Sequence, residues 1–311
     1  MTAAVRAFTV EHRLDGTLRR VAAERWSGGG GNRPCIALHS GPGFGAATLR
    51  AGAERLALVV DLMLLDLPGC GASSRHPGSA YPIEAYMADV IETCHALGGP
   101  KPLLLGHGWG AILAVEVALA HPDAVAGVAM INPLRVLSGA GQDGAAQQRQ
   151  VERVDATLMS RFAADVLPDL QQAMQGQLPW DTVDANPWWP QMWATQWAGA
   201  PSAAWHDALR AQQPGMEAYF AHKGQAMFDP ESAWARYDLA ERVPYLRCPV
   251  SAMASRHDAN YVALPHIHAD AIQAALPAMQ VERVDDGGHF LVSEAPDVVA
   301  AHLNRHPALA A

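Results

Sequence analysis

The sequence lacks the features that direct a protein into a membrane, onto nucleic acid or out of the cell. It has no apolar stretch as long as a membrane span, and its N-terminus lacks the charged, apolar and small-residue regions of a signal peptide. It also lacks basic runs, and its net charge of −9 argues against nucleic acid or an anionic membrane as a partner. We therefore expect a cytoplasmic protein that acts on a small-molecule substrate, and we leave its oligomeric state open.

Cysteine is scarce and metal-binding motifs are absent. The four cysteines, Cys35, Cys70, Cys94 and Cys248, form no C-x-x-C pair, which is typical of reduced and mostly buried thiols. The 14 histidines include no H-E-x-x-H or comparable ligand pattern, so we predict no metal site. Half of the residues are hydrophobic, which indicates a globular chain with a large core.

A glycine-rich turn lies between an apolar strand and a helix. The strand is predicted over Pro102–Leu105, and the helix over Trp109–Ala120, before His121 and Pro122 end it. Residues 106–110 read GHGWG, which has the G-x-Nuc-x-G spacing of a nucleophile elbow, where small residues let strand and helix pass closely. The nucleophile position holds Gly108, which has no side chain that could attack a substrate.

The same turn matches a dinucleotide-binding fingerprint, because Gly106, Gly108 and Ala111 have the G-x-G-x-x-A spacing. Such a site belongs in the first βαβ unit and is followed about 20 residues later by an acidic residue. Here a long stretch of sequence precedes the turn, and the next predicted strand, Ala124–Ile131, runs into Asn132 and Pro133. We therefore predict no nucleotide cofactor, and no cofactor of any kind.

Two upstream loops share their pattern with a known family. After predicted strands at Ile36–Leu38 and Leu58–Leu65, residues 39–43 read HSGPG and residues 66–73 read DLPGCGAS. With GHGWG, these loops resemble those of the prolyl aminopeptidases, which read H-G-G-P-G, D-x-x-G-x-G-x-S and G-G-S-W-G. The chain departs from that pattern at Ser40, where the family has glycine, and at Gly108, where it has serine. The resemblance implies an α/β-hydrolase fold, a mostly parallel eight-stranded sheet flanked by helices, with an inserted helical cap.

The remaining members of a catalytic triad follow in the family's order of nucleophile, acid and histidine. A predicted strand at Pro249–Ala254 leads to SRHD at residues 255–258, which is similar to G-R-Y-D. Another at Met279–Val284 leads to DDGGH at residues 285–289, which is similar to G-A-G-H. The resemblance implies that Asp258 orients His289 as the general base. It also implies an oxyanion hole made by the backbone N–H groups of Gly41 and Trp109.

The middle of the chain has a different composition from its ends. It is rich in Trp, Gln and Ala and is interrupted by prolines, so we predict a helical cap over residues 134–243, between core segments 1–133 and 244–311. Residues 216–224 read MEAYFAHKG and resemble the E-N-H-Y-F-x-N-x-G stretch of the family. The resemblance implies that Glu217 receives a substrate amino group, and we predict Tyr219 and His39 as further substrate-binding residues.

Three functional interpretations remain open for a chain with glycine at the elbow. In the first, which we favour, the glycine is native, and His289 activates water or the substrate without a covalent nucleophile, in hydrolysis of an activated bond or in lyase or cyclase chemistry. In the second, the chain is a serine hydrolase similar to prolyl aminopeptidases that a Ser-to-Gly change has inactivated. In the third, it is a catalytically dead binding protein, in which glycine relieves the strain of the turn.

Overall fold

The computed structural model describes residues 3–29, 33–76, 81–134, 157, 160–185, 188–212, 215–224, 237–258, 273–274, 277 and 279–309. Within these ranges, no helix combines the length and the apolar character needed to cross a membrane.

An eight-stranded sheet forms the centre of the molecule. Its strands are β1 (Ala4–Leu14), β2 (Thr17–Ser27), β3 (Pro34–Leu38), β4 (Asp61–Leu65), β5 (Leu103–His107), β6 (Gly127–Ile131), β7 (Val250–Ser255) and β8 (Gln280–Val284). They lie in the order β1-β2-β4-β3-β5-β6-β7-β8. The two pairings made by β2 are antiparallel and all the others are parallel. The predicted fold is therefore confirmed.

Helices cover both faces of the sheet, and others lie beyond it. They are α1 (Ala47–Leu56), α2 (Ile83–Leu97), α3 (Trp109–Ala120), α4 (Leu167–Met174), α5 (Trp189–Ala194), α6 (Ala203–Ala211), α7 (Met216–Tyr219), α8 (Leu239–Arg242), α9 (Leu291–Glu294) and α10 (Pro296–Asn304). One apolar cluster joins the sheet to α2 and α3, and another joins it to α1 and α10. Strands β3, β5 and β6 are buried along their whole length because they are covered on both sides.

Between β6 and β7, the described residues add helices and no strand to the sheet. We call residues 160–224, apart from 186–187 and 213–214, the inserted helical segment. Its apolar side chains form a third cluster, which also takes in Phe44 and Phe290 from loops of the sheet domain. Trp189 and Trp193 lie in α5 with ring centroids 5.3 Å apart, and each is 1% exposed. The predicted domain boundaries at 134 and 243 stay a prediction, since residues 135–156 are outside the described ranges.

Candidate active site

The turn between β5 and α3 has the sharp geometry that its sequence predicts. Gly108 lies at its tip with φ of 56° and ψ of −115°, in a region that favours glycine. A Cβ added to Gly106 would lie 2.4 Å from Ala111 Cα, and one added to Gly110 would lie 2.2 Å from the Leu38 carbonyl oxygen. Both glycines are therefore needed for the close approach of backbone to backbone.

Asp258 and His289 come together at the carboxyl ends of neighbouring parallel strands. Asp258 follows β7 and His289 follows β8, and the two strands pair directly. His289 Nδ1 lies 3.0 Å from Asp258 Oδ2, and both residues are 1% exposed. We assign the proton to Nδ1, because a carboxylate can only accept, and this leaves the Nε2 lone pair as an acceptor.

Ser40 is the residue at that acceptor. It lies in the loop after β3, is 1% exposed, and places its Oγ 2.9 Å from His289 Nε2. With Nδ1–H directed at Asp258, the Ser40 hydroxyl donates to Nε2. Ser40, His289 and Asp258 thus form a continuous hydrogen-bonded series. From the sequence alone Ser40 has no assigned role, because it is recognisable there only as a departure from the family pattern.

The Ser40 hydroxyl fills the space that a side chain on Gly108 would take. A Cβ added to Gly108 would lie 2.1 Å from Ser40 Oγ, 2.9 Å from Ser40 Cβ and 3.1 Å from His289 Cε1. The loops after β3 and β5 meet because these strands are neighbours, with Leu38 paired to Gly106. The two departures from the family pattern therefore lie against each other in space.

The loop that carries Ser40 is held by its own backbone geometry and by His39. Gly41 has φ of 130°, and a Cβ there would lie 2.7 Å from Gly43 N. His39 is fully buried, and its Nδ1 lies 2.7 Å from the Ser40 carbonyl oxygen while Leu67 N–H donates to its Nε2. Burial lowers the pKa of His39 to about 4, so the ring is neutral. His39 therefore holds loop backbone with both ring nitrogens, and its role in substrate binding stays a prediction.

Two residues that the sequence analysis missed hold the backbone of His289. His107 Nε2 lies 2.6 Å from the His289 carbonyl oxygen, and Asn132 Nδ2 donates to the carbonyl oxygens of Gly288 and His289. Burial, aided by the neighbouring His289, lowers the pKa of His107 to about 3. The available signal was position: His107 ends β5 and Asn132 directly follows β6, at the sheet edge where the other site residues lie.

The inserted helical segment contacts the loop of His289 directly. His289 N–H donates to the Gln196 carbonyl oxygen at 2.8 Å. Glu294 Oε2 accepts from the N–H of Gly288 at 3.0 Å and from the N–H of Ala198 at 2.9 Å. One carboxylate therefore connects the loop of His289 to the inserted helical segment.

The structure places Glu217 and Tyr219 on α7, beside the loop that carries Ser40. A Cβ on Gly43 would lie 2.9 Å from Tyr219 Cβ, and the Tyr219 ring stacks on Phe44 with centroids 6.5 Å apart. Glu217 is half-buried and accepts a hydrogen bond from the Tyr81 hydroxyl at 3.2 Å. Burial, together with the Glu217 charge, raises the pKa of Tyr81, so the phenol remains a donor.

The cysteines and other possible metal ligands are dispersed. All four cysteines are free thiols, three of them buried. Burial raises the pKa of Cys35 and of Cys94 to about 12. In the described part of the chain, no group of three or more His, Cys, Asp or Glu side chains is placed to hold a metal ion.

Comparisons with known proteins identify the family to which this fold belongs. The family model of the alpha/beta hydrolase fold matches residues 36–296. The proline iminopeptidase of Heyndrickxia coagulans is 31% identical over 121 residues, which are 39% of this chain and 42% of that protein. RutD of Azorhizobium caulinodans, assigned by its name to carbamate hydrolysis, is 26% identical over 263 residues, 85% of this chain and 87% of that protein.

Solved structures show the same fold at low identity. A proline iminopeptidase-related protein from Thermus thermophilus has a TM-score of 0.61 at 20% identity and covers 98% of both chains. The epoxide hydrolase CorEH has a TM-score of 0.66 at 19% identity, over 96% of this chain and 97% of that chain. With the family match extending over most of its length, this chain belongs to the alpha/beta hydrolase fold family.

Proposed function

We propose that this protein hydrolyses an acyl bond, in an ester, amide or carbamate, of a small molecule that carries an amine. In this proposal His289 is the general base and Asp258 orients its ring. The observation that supports it best is the buried pair of these side chains, 3.0 Å apart, facing the turn at Gly108. The relatives named for proline iminopeptidase and carbamate hydrolysis act on bonds of this class, which adds support.

The geometry around His289 suits a base that takes and returns a proton at one atom. Asp258 accepts from Nδ1–H, so it fixes the ring orientation and stabilises the imidazolium that forms during the reaction. General base catalysis of this kind contributes about 10²–10⁴-fold to the rate. The contacts of His107 and Asn132 with the backbone of His289 hold the ring in place, and a protein that only binds has no need for such support.

Backbone N–H groups supply the electrostatic part of the proposal. We assign the oxyanion hole to Gly41, in the loop after β3, and to Trp109, which directly follows the turn after β5. Trp109 is the first residue of α3, where the helix dipole favours negative charge. One such donor contributes about 10²–10³-fold to turnover. Gly108 contributes no attacking group in this proposal.

Glu217 is the residue for which we propose that the substrate carries an amine. A carboxylate has about four acceptor positions, and the Tyr81 hydroxyl uses one of them on Oε2, so capacity remains for a substrate ammonium. In a partly desolvated cleft such a charge-assisted contact is strong and directional.

The proposal is tested with amino-acid aryl esters and aryl amides, beside aryl esters that lack an amine. We expect His289→Ala to lower kcat/KM by at least about 10²-fold and Asp258→Asn to lower it as well, with unchanged thermal unfolding. We expect Glu217→Gln to raise KM for the amine-bearing esters only. Equal rates for the wild-type protein and His289→Ala on every compound hydrolysed would refute the general-base role.

A further inference from the structure

We propose that Ser40 is the covalent nucleophile, moved from the elbow to the neighbouring loop. This inference rests on the proposed function, since it needs His289 as base, and it makes the protein a serine hydrolase whose serine lies outside the usual motif. The absence of a side chain at Gly108 leaves the space in which the Ser40 hydroxyl lies.

Position supports this assignment first. Ser40 Oγ is 2.1 Å from where a Cβ on Gly108 would stand and hydrogen-bonds to His289 Nε2, so it occupies the region that the side chain of an elbow serine would take. An attack from this point brings the substrate carbonyl to the same place relative to the turn. The N–H groups of Gly41 and Trp109 can then receive the oxyanion without any change in the fold.

Hydrogen bonding supports it second. The Ser40 hydroxyl donates to His289 Nε2 at 2.9 Å, and His289 Nδ1–H donates to Asp258 at 3.0 Å. These are the contacts of nucleophile with base and of base with orienting acid that activate a serine. All three side chains are buried, so water does not screen them.

The same contact argues against the mechanism without a nucleophile. A water activated by His289 would have to donate a hydrogen bond to Nε2 and lie in the space beside Gly108. Ser40 occupies both positions, because its Oγ is hydrogen-bonded to Nε2 and its side chain fills the space that an elbow side chain would take. The Ser40 hydroxyl is therefore the group from which His289 can take a proton.

The covalent step balances without any added reactant. The Ser40 Oγ lone pair forms a bond to the substrate carbonyl carbon, the Oγ proton passes to His289 Nε2, and the C=O π pair moves onto the carbonyl oxygen. Collapse expels the alcohol or amine, which takes the proton from Nε2, and leaves an acyl ester on Ser40. Water then gives a proton to Nε2 and attacks the ester carbon. Ser40 leaves with the proton, and the acid is released.

A second hydrogen-bonded series in the molecule provides a matched control. Ser251 Oγ lies 2.8 Å from His302 Nε2, and His302 Nδ1 lies 2.9 Å from Glu282 Oε2. Ser251 is inside β7, where α10 covers it, and it pairs with Ala129 of β6 and Gln280 of β8, so strands and not an elbow turn flank it. If hydrogen bonds alone made a nucleophile, Ser251 would react as Ser40 does.

The test is covalent labelling with a fluorophosphonate, in which serine Oγ attacks phosphorus and fluoride leaves. We expect one adduct on the wild-type protein, found by mass spectrometry on the peptide that contains Ser40. Ser40→Ala should abolish the adduct and lower kcat for aryl esters by about 10⁴-fold or more. Ser251→Ala should keep both. The exchanged variant Ser40→Gly/Gly108→Ser should regain the adduct, now at position 108.

The outcomes separate this inference from the proposed function. An adduct that persists in Ser40→Ala, or esterase activity within about threefold of wild type in that variant, overturns the nucleophile while leaving the general base of the proposed function in place. Activity unchanged in His289→Ala overturns the proposed function itself. If the exchanged variant does not fold, Ser40→Cys replaces it: a thiol at this point should be alkylated by iodoacetamide faster than any of the four buried or half-buried cysteines.

Discussion

The missing side chain at Gly108 determines which neighbouring side chain can lie against the turn after β5. Its φ of 56° suits glycine, and the space beyond its Cα holds the Ser40 hydroxyl. The side chain introduced by Gly108→Ser would therefore enter a space that Ser40 already occupies. This substitution alone does not reproduce the loops of the prolyl aminopeptidases, which have glycine at the position of Ser40.

We predict that Gly108→Ser by itself destabilises the protein by about 1–3 kcal/mol, because a side chain at positive φ is strained and its Cβ would crowd Ser40. Urea unfolding followed by tryptophan fluorescence measures this. Gly108→Ala serves as the matched variant, since it adds the Cβ without a hydroxyl. Combining Gly108→Ser with Ser40→Gly should recover part of the loss, and an equal or larger loss in the pair would contradict the steric explanation.

Gly110 lies at a close approach between two backbone segments. Its Cβ would lie 2.2 Å from the Leu38 carbonyl oxygen, a backbone atom that cannot move without shifting β3. We expect Gly110→Ala to lower the free energy of unfolding by about 1–3 kcal/mol. Gly199 is the control, because a Cβ there meets nothing within 4 Å. Gly199→Ala should leave stability unchanged or slightly higher, and similar losses in both variants would rule out the close approach as the cause.

Among the elements, Glu294 links the inserted helical segment to the loop of His289, the proposed general base. We expect Glu294→Ala to lower kcat by roughly tenfold or more, since the loop of His289 loses a fixed contact and small displacements at a reacting group are costly. Stability should fall by about 1 kcal/mol because Gly288 N–H loses its acceptor.

Glu294→Gln is the matched variant for that prediction, because its amide oxygen can still accept from Gly288 and Ala198. It should keep most of the activity. Steady-state kinetics with an aryl ester and thermal unfolding of both variants provide the comparison. If alanine and glutamine have the same effect, the carboxylate contacts do not position the histidine.

The strands of the sheet differ in how well the sequence predicts them. The central strands were found within a few residues, because they are buried on both faces and therefore continuously apolar. The strand predicted over Leu58–Leu65 begins later, at Asp61, because Ala57 and Val60 donate their N–H groups to carbonyls of α1. The first two strands were given no bounds, since β1, at the edge of the sheet, is mostly exposed and has no apolar run.

The site was predicted where each residue can be recognised along the chain. Asp258 and His289 follow their strands in the order of the family, and the structure places them in contact. The contact between Ser40 and Gly108 has no such signal, because it depends on two loops of neighbouring strands. His107 and Asn132 could be placed at this sheet edge from their positions at the ends of β5 and β6, but their contacts with backbone groups have no sequence signal.

For the molecule as a whole, buried neutral histidines connect stability to pH. Burial lowers the pKa of His39, His222 and His306 to about 4, from 6.5. Between pH 4 and pH 6.5 the unfolded chain binds more protons than the folded one. The contribution of these histidines to the free energy of unfolding is therefore complete above pH 6.5 and is lost as the pH falls towards 4. Each such histidine accounts for up to about 2 kcal/mol at pH 5.

His306 allows this to be measured away from the site. Its Nε2–H donates to the Val128 carbonyl, and its Nδ1 accepts from Ala308 N–H, contacts that a glutamine amide can imitate. We expect His306→Gln to reduce the difference in unfolding free energy between pH 7 and pH 5 by up to about 2 kcal/mol. Urea titrations at the two pH values test this. His95→Gln, the same substitution at an exposed position, is the matched control.

The 2.1 Å approach of Ser40 Oγ to the missing Cβ of Gly108 also limits how such a site can evolve. A chain with serine at both positions is crowded, and a chain with glycine at both has no nucleophile on either loop. Neither position can therefore change alone without a loss, and the two are expected to covary in any relative that keeps these loops. A search for enzymes of this kind must look for the pair, since a pattern that asks only for serine at the elbow will discard every one of them.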